Sequence, residues 1–480
     1  MTFDGRMFID GARRSAAGNA TVSTPDPSTG EVLTEVALGG AADVDEAVTG
    51  ARVAQRQWRR EAPARRAAIL DAVADGLLAR TDELADLESA DVGKPISQAR
   101  ADVVAAAAYF RFYAGLADKI LGTSIPVGPG RQAYTVREPV GVSAHIVPWN
   151  YPLQLSSRGI APALACGNAV VVKPAAEAGL SVVAIAEIAT AAGVPAGVFN
   201  VVTGDGGTGA AITAHDGVDH VTFTGSVSTG SAVMRSAADN VVPVTLELGG
   251  KSPMIVFADA DLEAAAATTA SVIVQNAGQT CSAASRLLVQ DSVREKFLAM
   301  VQERLAAVRV GPGRDDPAMG PVISARQRDQ VEQAVQAAVD SGATVLTGGE
   351  RGCPAGLEGG FFYRPTLLAG VDPHDPIAQQ EVFGPVLAAL PFVDADEAIE
   401  IANGTPYGLV SGVWTTNLRT AHSLAQELEC GQVFINGYGA GGGVALPFGG
   451  RGKSGFGREK GLEALHNYTA TKNVMIHFEA

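Results

Sequence analysis

Three residues stand where apolar runs meet chain-breaking signals, and their side chains could supply a nucleophile, a general base and an oxyanion donor. Cys281 follows Gln275-Asn276-Ala277-Gly278-Gln279-Thr280, where a helical pattern ends at a glycine, and Ser282 comes next. A thiol just past such an end, in small polar company, can be approached by backbone amides, which favour the nucleophilic thiolate. The competing reading is a buried, inert cysteine, the usual state of a free thiol. Glu247 closes the apolar run Val244-Thr245-Leu246 before the turn at Gly249-Gly250. A carboxylate desolvated there has a raised pKa and can serve as a general base, whereas a salt bridge to Lys251 would make it structural. Asn150 lies in Pro148-Trp149-Asn150-Tyr151-Pro152. Its uncharged amide donor suits a developing oxyanion, although asparagine between prolines is also ordinary turn chemistry.

A second set of residues suits a nucleotide. Phe223-Thr224-Gly225-Ser226-Val227-Ser228-Thr229-Gly230 reads as a strand, a glycine turn and a helix start, whose amides favour a pyrophosphate. Lys173 ends another apolar run and could reach ribose hydroxyls. Gly204, Gly206 and Gly209 spell a literal G-x-G-x-x-G after an apolar run. No acidic residue stands at a strand end some twenty positions on, so this fingerprint is weak by itself.

Positioning these groups needs two stretches of alternating strands and helices. Helical spacing over Asp43 to about Leu116, broken at Pro63 and at Gly93–Pro95, predicts three helices. Val140–Val147, Ala169–Val172, Val198–Val202, His220–Thr224 and Val242–Leu246 read as strands with helices between the later ones, which implies right-handed crossovers and a parallel sheet. A second alternation runs from Met254 to Asn436, with strands at Leu287–Gln290, Val386–Phe392 and Leu409–Trp414 among others. The turn-rich excursion at 121–139 and the strand-like tail Tyr468–Phe478 suit each other as partners. Glycines cluster at 439–443.

Composition bounds the rest. A chain of 480 residues is too long for one core and predicts two or three domains. With 47% hydrophobic and 18% charged residues it is neither disordered nor fibrous. A net charge of −15 argues against nucleic acid as a partner. Cys166, Cys281, Cys353 and Cys430 form no C-x-x-C pair, and no histidine cluster has zinc spacing, so no metal is expected. A disulfide framework is not expected in so large a chain, and reduced thiols point to a cytoplasmic location. The first residues lack the apolar core of a signal peptide, and the apolar run before Pro148 is too short to span a membrane.

In their order along nearly the whole chain, PWNYP at 148–152, KP at 173–174, FTGSVSTG at 223–230, ELGGKSP at 247–253, GQTCS at 278–282, EVFGPV at 381–386 and PFGG at 447–450 resemble the aldehyde dehydrogenase superfamily. The resemblance implies NAD(P)-dependent, metal-free oxidation of an aldehyde to an acid. Cys281 would form a thiohemiacetal and then a thioester, Asn150 and the Cys281 amide would hold the oxyanion, and Glu247 would activate water. Cofactor contacts would come from Trp149, Lys173, Gly204, Gly225, Ser226, Gly230, Leu248, Glu381 and Phe383. Tyr151, Arg158, Gln275, Ser282 and Phe448 would face the substrate.

The implied fold is α/β: a Rossmann-like cofactor domain (1–120 and 140–247), a second α/β catalytic domain (248–446) and a small β oligomerisation element (121–139 and 467–480), with 447–466 leading back to the cofactor domain. A homodimer or homotetramer is expected.

Three positions depart from the family pattern. Ala176 replaces a glutamate that favours NAD, leaving NADP open. Gly159 replaces a lysine linked to proton relay, while its partner Glu459 is kept. Arg158 replaces a tunnel aromatic and could attract a substrate carboxylate. Two other readings stay open: a relative that passes the acyl group to coenzyme A, disfavoured by Glu247, and a non-catalytic binding relative.

Overall fold

The structure, a computed structural model, describes residues 3–439 and 443–478; part of the glycine cluster at 439–443 therefore lies outside the described residues. Its centre is an eight-stranded sheet. The five inner strands run Phe199–Val201, Ala169–Pro174, Val142–Val147, His220–Gly225 and Val244–Leu248 across the sheet, all parallel. In chain order that is 3-2-1-4-5, so the sheet reverses direction between Val142–Val147 and His220–Gly225. Ligands bind above the carboxyl ends of strands at such a switch point. The inner strands are apolar on both faces because helices cover both: Ala169–Pro174 is buried throughout.

A seven-stranded sheet forms the second half, in the order Thr344–Thr347, Thr366–Ala369, Val386–Phe392, Arg286–Gln290, Pro253–Val256, Val410–Trp414, Gln432–Ile435. All its pairs are parallel except the first. The tail strand Thr469–His477 pairs antiparallel with Arg131–Pro139, as the sequence suggests, and Ser124–Ile125 completes a three-stranded sheet.

One expectation needs correction, and one strand has no counterpart in the sequence reading. Four helices, not three, fill the N-terminal stretch: Ala41–Trp58, Pro63–Ala79, Thr81–Val92 and Ile96–Ala114. The extra break falls at Arg80 without proline or glycine; the Thr81 hydroxyl donates to the Leu78 carbonyl instead, a local bond that competes with the helical ladder. The strand Thr366–Ala369, four residues long, carries too little pattern to be read in advance.

The helix Thr81–Val92 serves its neighbours. The helix Pro152–Ala165 begins at a tyrosine with no side-chain cap, and Glu88 accepts from the Leu153 amide at 3.1 Å. Asp91 does the same for Leu180, at 3.2 Å, in the next helix. Buried carboxylates thus satisfy helix-start amides that would otherwise be left without partners.

Candidate active site

Asn150 follows the first inner strand at the switch point. Its Nδ2 donates to the Gln279 carbonyl at 2.9 Å, and its own carbonyl accepts from Asn276 Nδ2 at 2.9 Å. These two bonds tie the asparagine to the loop that carries Cys281. That loop leaves the helix Leu262–Val274 through a tight turn with Asn276, Ala277 and Gly278 at φ 47°, 54° and 71°. A Cβ at Gly278 would lie 2.2 Å from the Gly384 carbonyl oxygen, so only glycine lets the chain pass. Cys281 then packs against Leu409, Val410 and Phe448. Burial pushes its thiol up to about 12, and the cation of Arg158 opposes that shift.

Glu247 sits one residue from the end of its strand, opposite Thr224. It is buried, and neither carboxylate oxygen has a hydrogen-bond partner among the described residues. Burial and then the neighbouring Glu459 raise its proton affinity well above the usual carboxylate range. Lys251 makes no salt bridge with it among the described residues, and burial lowers that lysine to about 7. Of the two readings of Glu247, the desolvated one is realised.

Asn150, Glu247 and Cys281 line one cavity of about 260 Å³, together with Trp149, Leu155, Gln327 and Glu381. A cleft of about 400 Å³ adjoins it, sharing Trp149, Gly225 and Ser226 and extending past Lys173 to Gly209. Ser226 caps the helix Val227–Asp239, its Oγ accepting from the Thr229 amide at 3.2 Å. Lys173 is buried beside this cleft, and desolvation lowers its pKa. Glu381 accepts from the Gly250 amide at 3.1 Å; burial raises it to about 7. The Phe383 ring meets Trp149 edge-on at 5.3 Å, on a backbone with φ 56°. Leu248 lines the smaller cavity.

Other expected contacts fall elsewhere. Gly204 is buried outside both cavities, where a Cβ would lie 2.0 Å from Thr208 Oγ1. The helix start after it is already occupied, since Asp205 accepts from the Gly207 amide at 2.8 Å. The G-x-G-x-x-G therefore offers no free amide cradle, and the phosphate-type site passes to Ser226. Gly230 is a packing glycine, its Cβ position 2.6 Å from Leu248.

Gln275 is exposed to solvent and off the cavity wall. Tyr151 is buried behind the cavity, its hydroxyl 2.8 Å from Thr280 Oγ1. Ser282 is buried, and its carbonyl accepts from the Tyr438 hydroxyl at 2.9 Å. Phe448 contributes its ring to the apolar group around Cys281.

Arg158 has a partner within the protein. It forms an ion pair with Glu459, both side chains 4% exposed, and its guanidinium carbon lies 4.9 Å from the centre of the Phe448 ring. Glu459 also accepts from the Thr222 hydroxyl at 3.2 Å. Leu155 and Gln327 line the cavity although no motif announces them. Leu155 had one available signal, its place one turn before Arg158 on the same helix face.

A doubly wound sheet and a second α/β sheet, with a thiol and a desolvated carboxylate lining one cavity, define an α/β protein with a candidate enzymatic site. Comparison with known proteins gives the family. The chain belongs to the aldehyde dehydrogenase family, whose model matches residues 14–474. It is similar to a Burkholderia cenocepacia protein described as an aldehyde dehydrogenase, at 50% identity over 99% of this chain and 100% of that one, with a TM-score of 0.97. The aldehyde dehydrogenase KauB of Pseudomonas aeruginosa matches at 42% identity, over 99% and 97% of the two chains, with a TM-score of 0.97. An indole-3-acetaldehyde dehydrogenase in complex with NAD+ matches with the same identity, coverage and TM-score.

Proposed function

We propose that the protein oxidises an aldehyde to a carboxylic acid with NAD or NADP as hydride acceptor, using Cys281 as covalent nucleophile. The convergence of Cys281, Asn150 and Glu247 on one cavity that opens into a nucleotide-sized cleft carries this reading. The cleft fits a dinucleotide. Lys173 borders it, Ser226 starts a helix at its floor, and a Cβ at Gly209 would find ordinary van der Waals room. Lys173 and Glu381 would hold the two riboses, and Ser226 with the amides behind it the pyrophosphate. The bound nicotinamide supplies the hydride acceptor.

The residues would act as follows. Burial disfavours the Cys281 thiolate, so the thiol gives up its proton to solvent in the open cavity as it attacks, and Glu247, the desolvated carboxylate on the same cavity wall, is kept for water. The thiolate sulfur adds to the aldehyde carbon, and the carbonyl oxygen becomes an oxyanion facing Asn150 Nδ2 and the Cys281 amide. Loss of hydride from that carbon leaves a thioester on Cys281. Glu247 takes a proton from water, the oxygen adds to the acyl carbon, and the carbon–sulfur bond breaks to release the acid and the thiolate. A buried Glu247 with no competing partner favours water as acyl acceptor over coenzyme A.

The test is rapid mixing with NAD+ and NADP+ against aliphatic, aromatic and carboxylate-bearing aldehydes, without coenzyme A. The expected result is an NADH or NADPH burst followed by steady turnover. A burst that stalls until coenzyme A is added would favour the acyl-transfer reading.

We assign the division into cofactor, catalytic and oligomerisation parts to the sequence ranges given above. The three-stranded sheet, with Met475 and Ile476 exposed, is the surface through which copies of the chain would associate. Light scattering on the purified protein tests this; a monomer would remove it.

A further inference from the structure

Behind the active-site cavity, away from the substrate side, lies a buried ion cluster that the chemistry above leaves unused. Lys94 Nζ donates to Glu88 at 2.7 Å and to Asp102 at 2.5 Å, and Lys94 and Glu88 side chains are wholly buried. Three contacts of this cluster lead towards the reacting groups. Glu88 accepts from the Leu153 amide, which starts the helix directly after Asn150. Gln154 reaches Asp102 at 3.4 Å. The Lys94 ammonium lies 4.2 Å from the centre of the Tyr151 ring, the residue after Asn150. The Tyr151 hydroxyl is 2.8 Å from Thr280 Oγ1, the residue before Cys281. Lys94 therefore holds one end of a chain of contacts whose other end flanks both the oxyanion donor and the nucleophile.

We propose that Lys94 is a positioning residue: set between Glu88 and Asp102, it clamps the Tyr151 ring so that the Tyr151–Thr280 hydrogen bond keeps the Cys281 loop in register with Asn150. The proposal rests on the reading of Cys281 and Asn150 given above. An ammonium over an aromatic face is attracted to it, most strongly where water is excluded. A rigid clamp is needed because displacing reacting groups by about 1 Å can cost roughly a hundredfold in rate. Lys94 touches no substrate, so its removal should slow chemistry without weakening the cofactor.

The test uses Lys94→Met, Tyr151→Phe and Thr280→Val in the full chain, with the aldehyde that gives the largest wild-type burst. Lys94→Met should lower the burst rate constant roughly tenfold while NAD+ affinity stays within about twofold. Tyr151→Phe and Thr280→Val remove the same hydrogen bond, so each should slow the burst severalfold and the double variant no more than either alone. A folded Lys94→Met protein with a wild-type burst overturns the proposal, as does a multiplicative loss in the double variant. Should Lys94→Met fail to fold, the other two variants decide: a severalfold loss in both supports the clamp, and unchanged bursts overturn it.

If the wild type gives no burst with any aldehyde, the reaction assignment has failed, and the clamp is then read by iodoacetamide labelling. Labelling of Cys281 that changes in Lys94→Met relative to the exposed Cys353 supports it, and an unchanged ratio overturns it.

Discussion

Two buried charge clusters lie along the helix Pro152–Ala165, and they are built differently. At its start, Lys94 is hydrogen-bonded to both Glu88 and Asp102, and Glu88 spends its second oxygen on a backbone amide. Further along, Arg158 pairs with Glu459 beside Glu247, yet Arg158 Nη2 and both Glu247 oxygens lack hydrogen bonds among the described residues. Leaving buried polar atoms unmatched costs stability, typically about 1–3 kcal/mol for each group. A fold that tolerates this cost beside a thiol and minimises it at the other cluster separates two roles. The contrast accords with the proposal that the first cluster fixes geometry while the second leaves the Glu247 oxygens open to water and substrate.

This contrast can be broken experimentally. The largest effect should come from Cys281→Ser, which removes the nucleophile: turnover should fall by roughly a thousandfold or more while NAD+ titration stays near wild type. Glu247→Gln should come next, with steady-state turnover down roughly a hundredfold or more, a hydride burst retained, and an acyl mass trapped on Cys281. If Glu247→Gln instead abolishes the burst, the carboxylate is needed to ionise the thiol and not only the water.

Arg158→Met would leave Glu459 buried and unpaired, which should cost about 3–5 kcal/mol in chemical unfolding. Arg158→Met with Glu459→Gln should recover most of that. Because the guanidinium is already paired, neutral and carboxylate-bearing aldehydes should lose kcat/KM alike. A selective loss with carboxylate-bearing aldehydes would return Arg158 to substrate recognition.

Glu381 gives a smaller effect that depends on pH. Burial raises it to about 7, so it is protonated below that pH and anionic above. Only the anion accepts from both ribose hydroxyls. Cofactor affinity should therefore rise as pH climbs through 7, by severalfold at most, and Glu381→Gln should flatten the profile. Calorimetric titration between pH 6 and 8 measures this. The smallest shift belongs to Ala176→Glu, which should move the kcat/KM ratio towards NAD by repelling a 2′-phosphate. An unchanged ratio would mean that position 176, whose carbonyl is held by the Thr24 hydroxyl, points away from the ribose.

The three residues that line one cavity, Asn150, Glu247 and Cys281, were legible in the chain because they sit at abrupt changes of local pattern. Cys281 follows a helix end, Glu247 a strand end and Asn150 a strand-to-helix turn, and such junctions are set by a few neighbouring residues. The parallel sheet was legible for the same reason: strands apolar on both faces alternate with helices, and this allows few topologies. Gln275 and Gly204 stand off the two cavities, a placement the chain does not announce because local sequence does not say which face of a turn meets a cavity. Gln275 is turned to solvent. Gly204 precedes an aspartate that takes the helix-start amides for itself.

By itself the sequence determined the family, the order of strands and helices, and which thiol, carboxylate and amide could react. These follow from residue type and from spacing over a few residues. Only the tertiary structure decided which charges neutralise one another. Arg158 is 301 positions from Glu459, and Lys94 reaches the Cys281 loop through a residue 57 positions away. Coulomb energy depends on distance and on exclusion of water, and neither can be read from separation along the chain. Paired with Glu459, the buried Arg158 stands off the cavity wall, and nothing in its local sequence announces that partner.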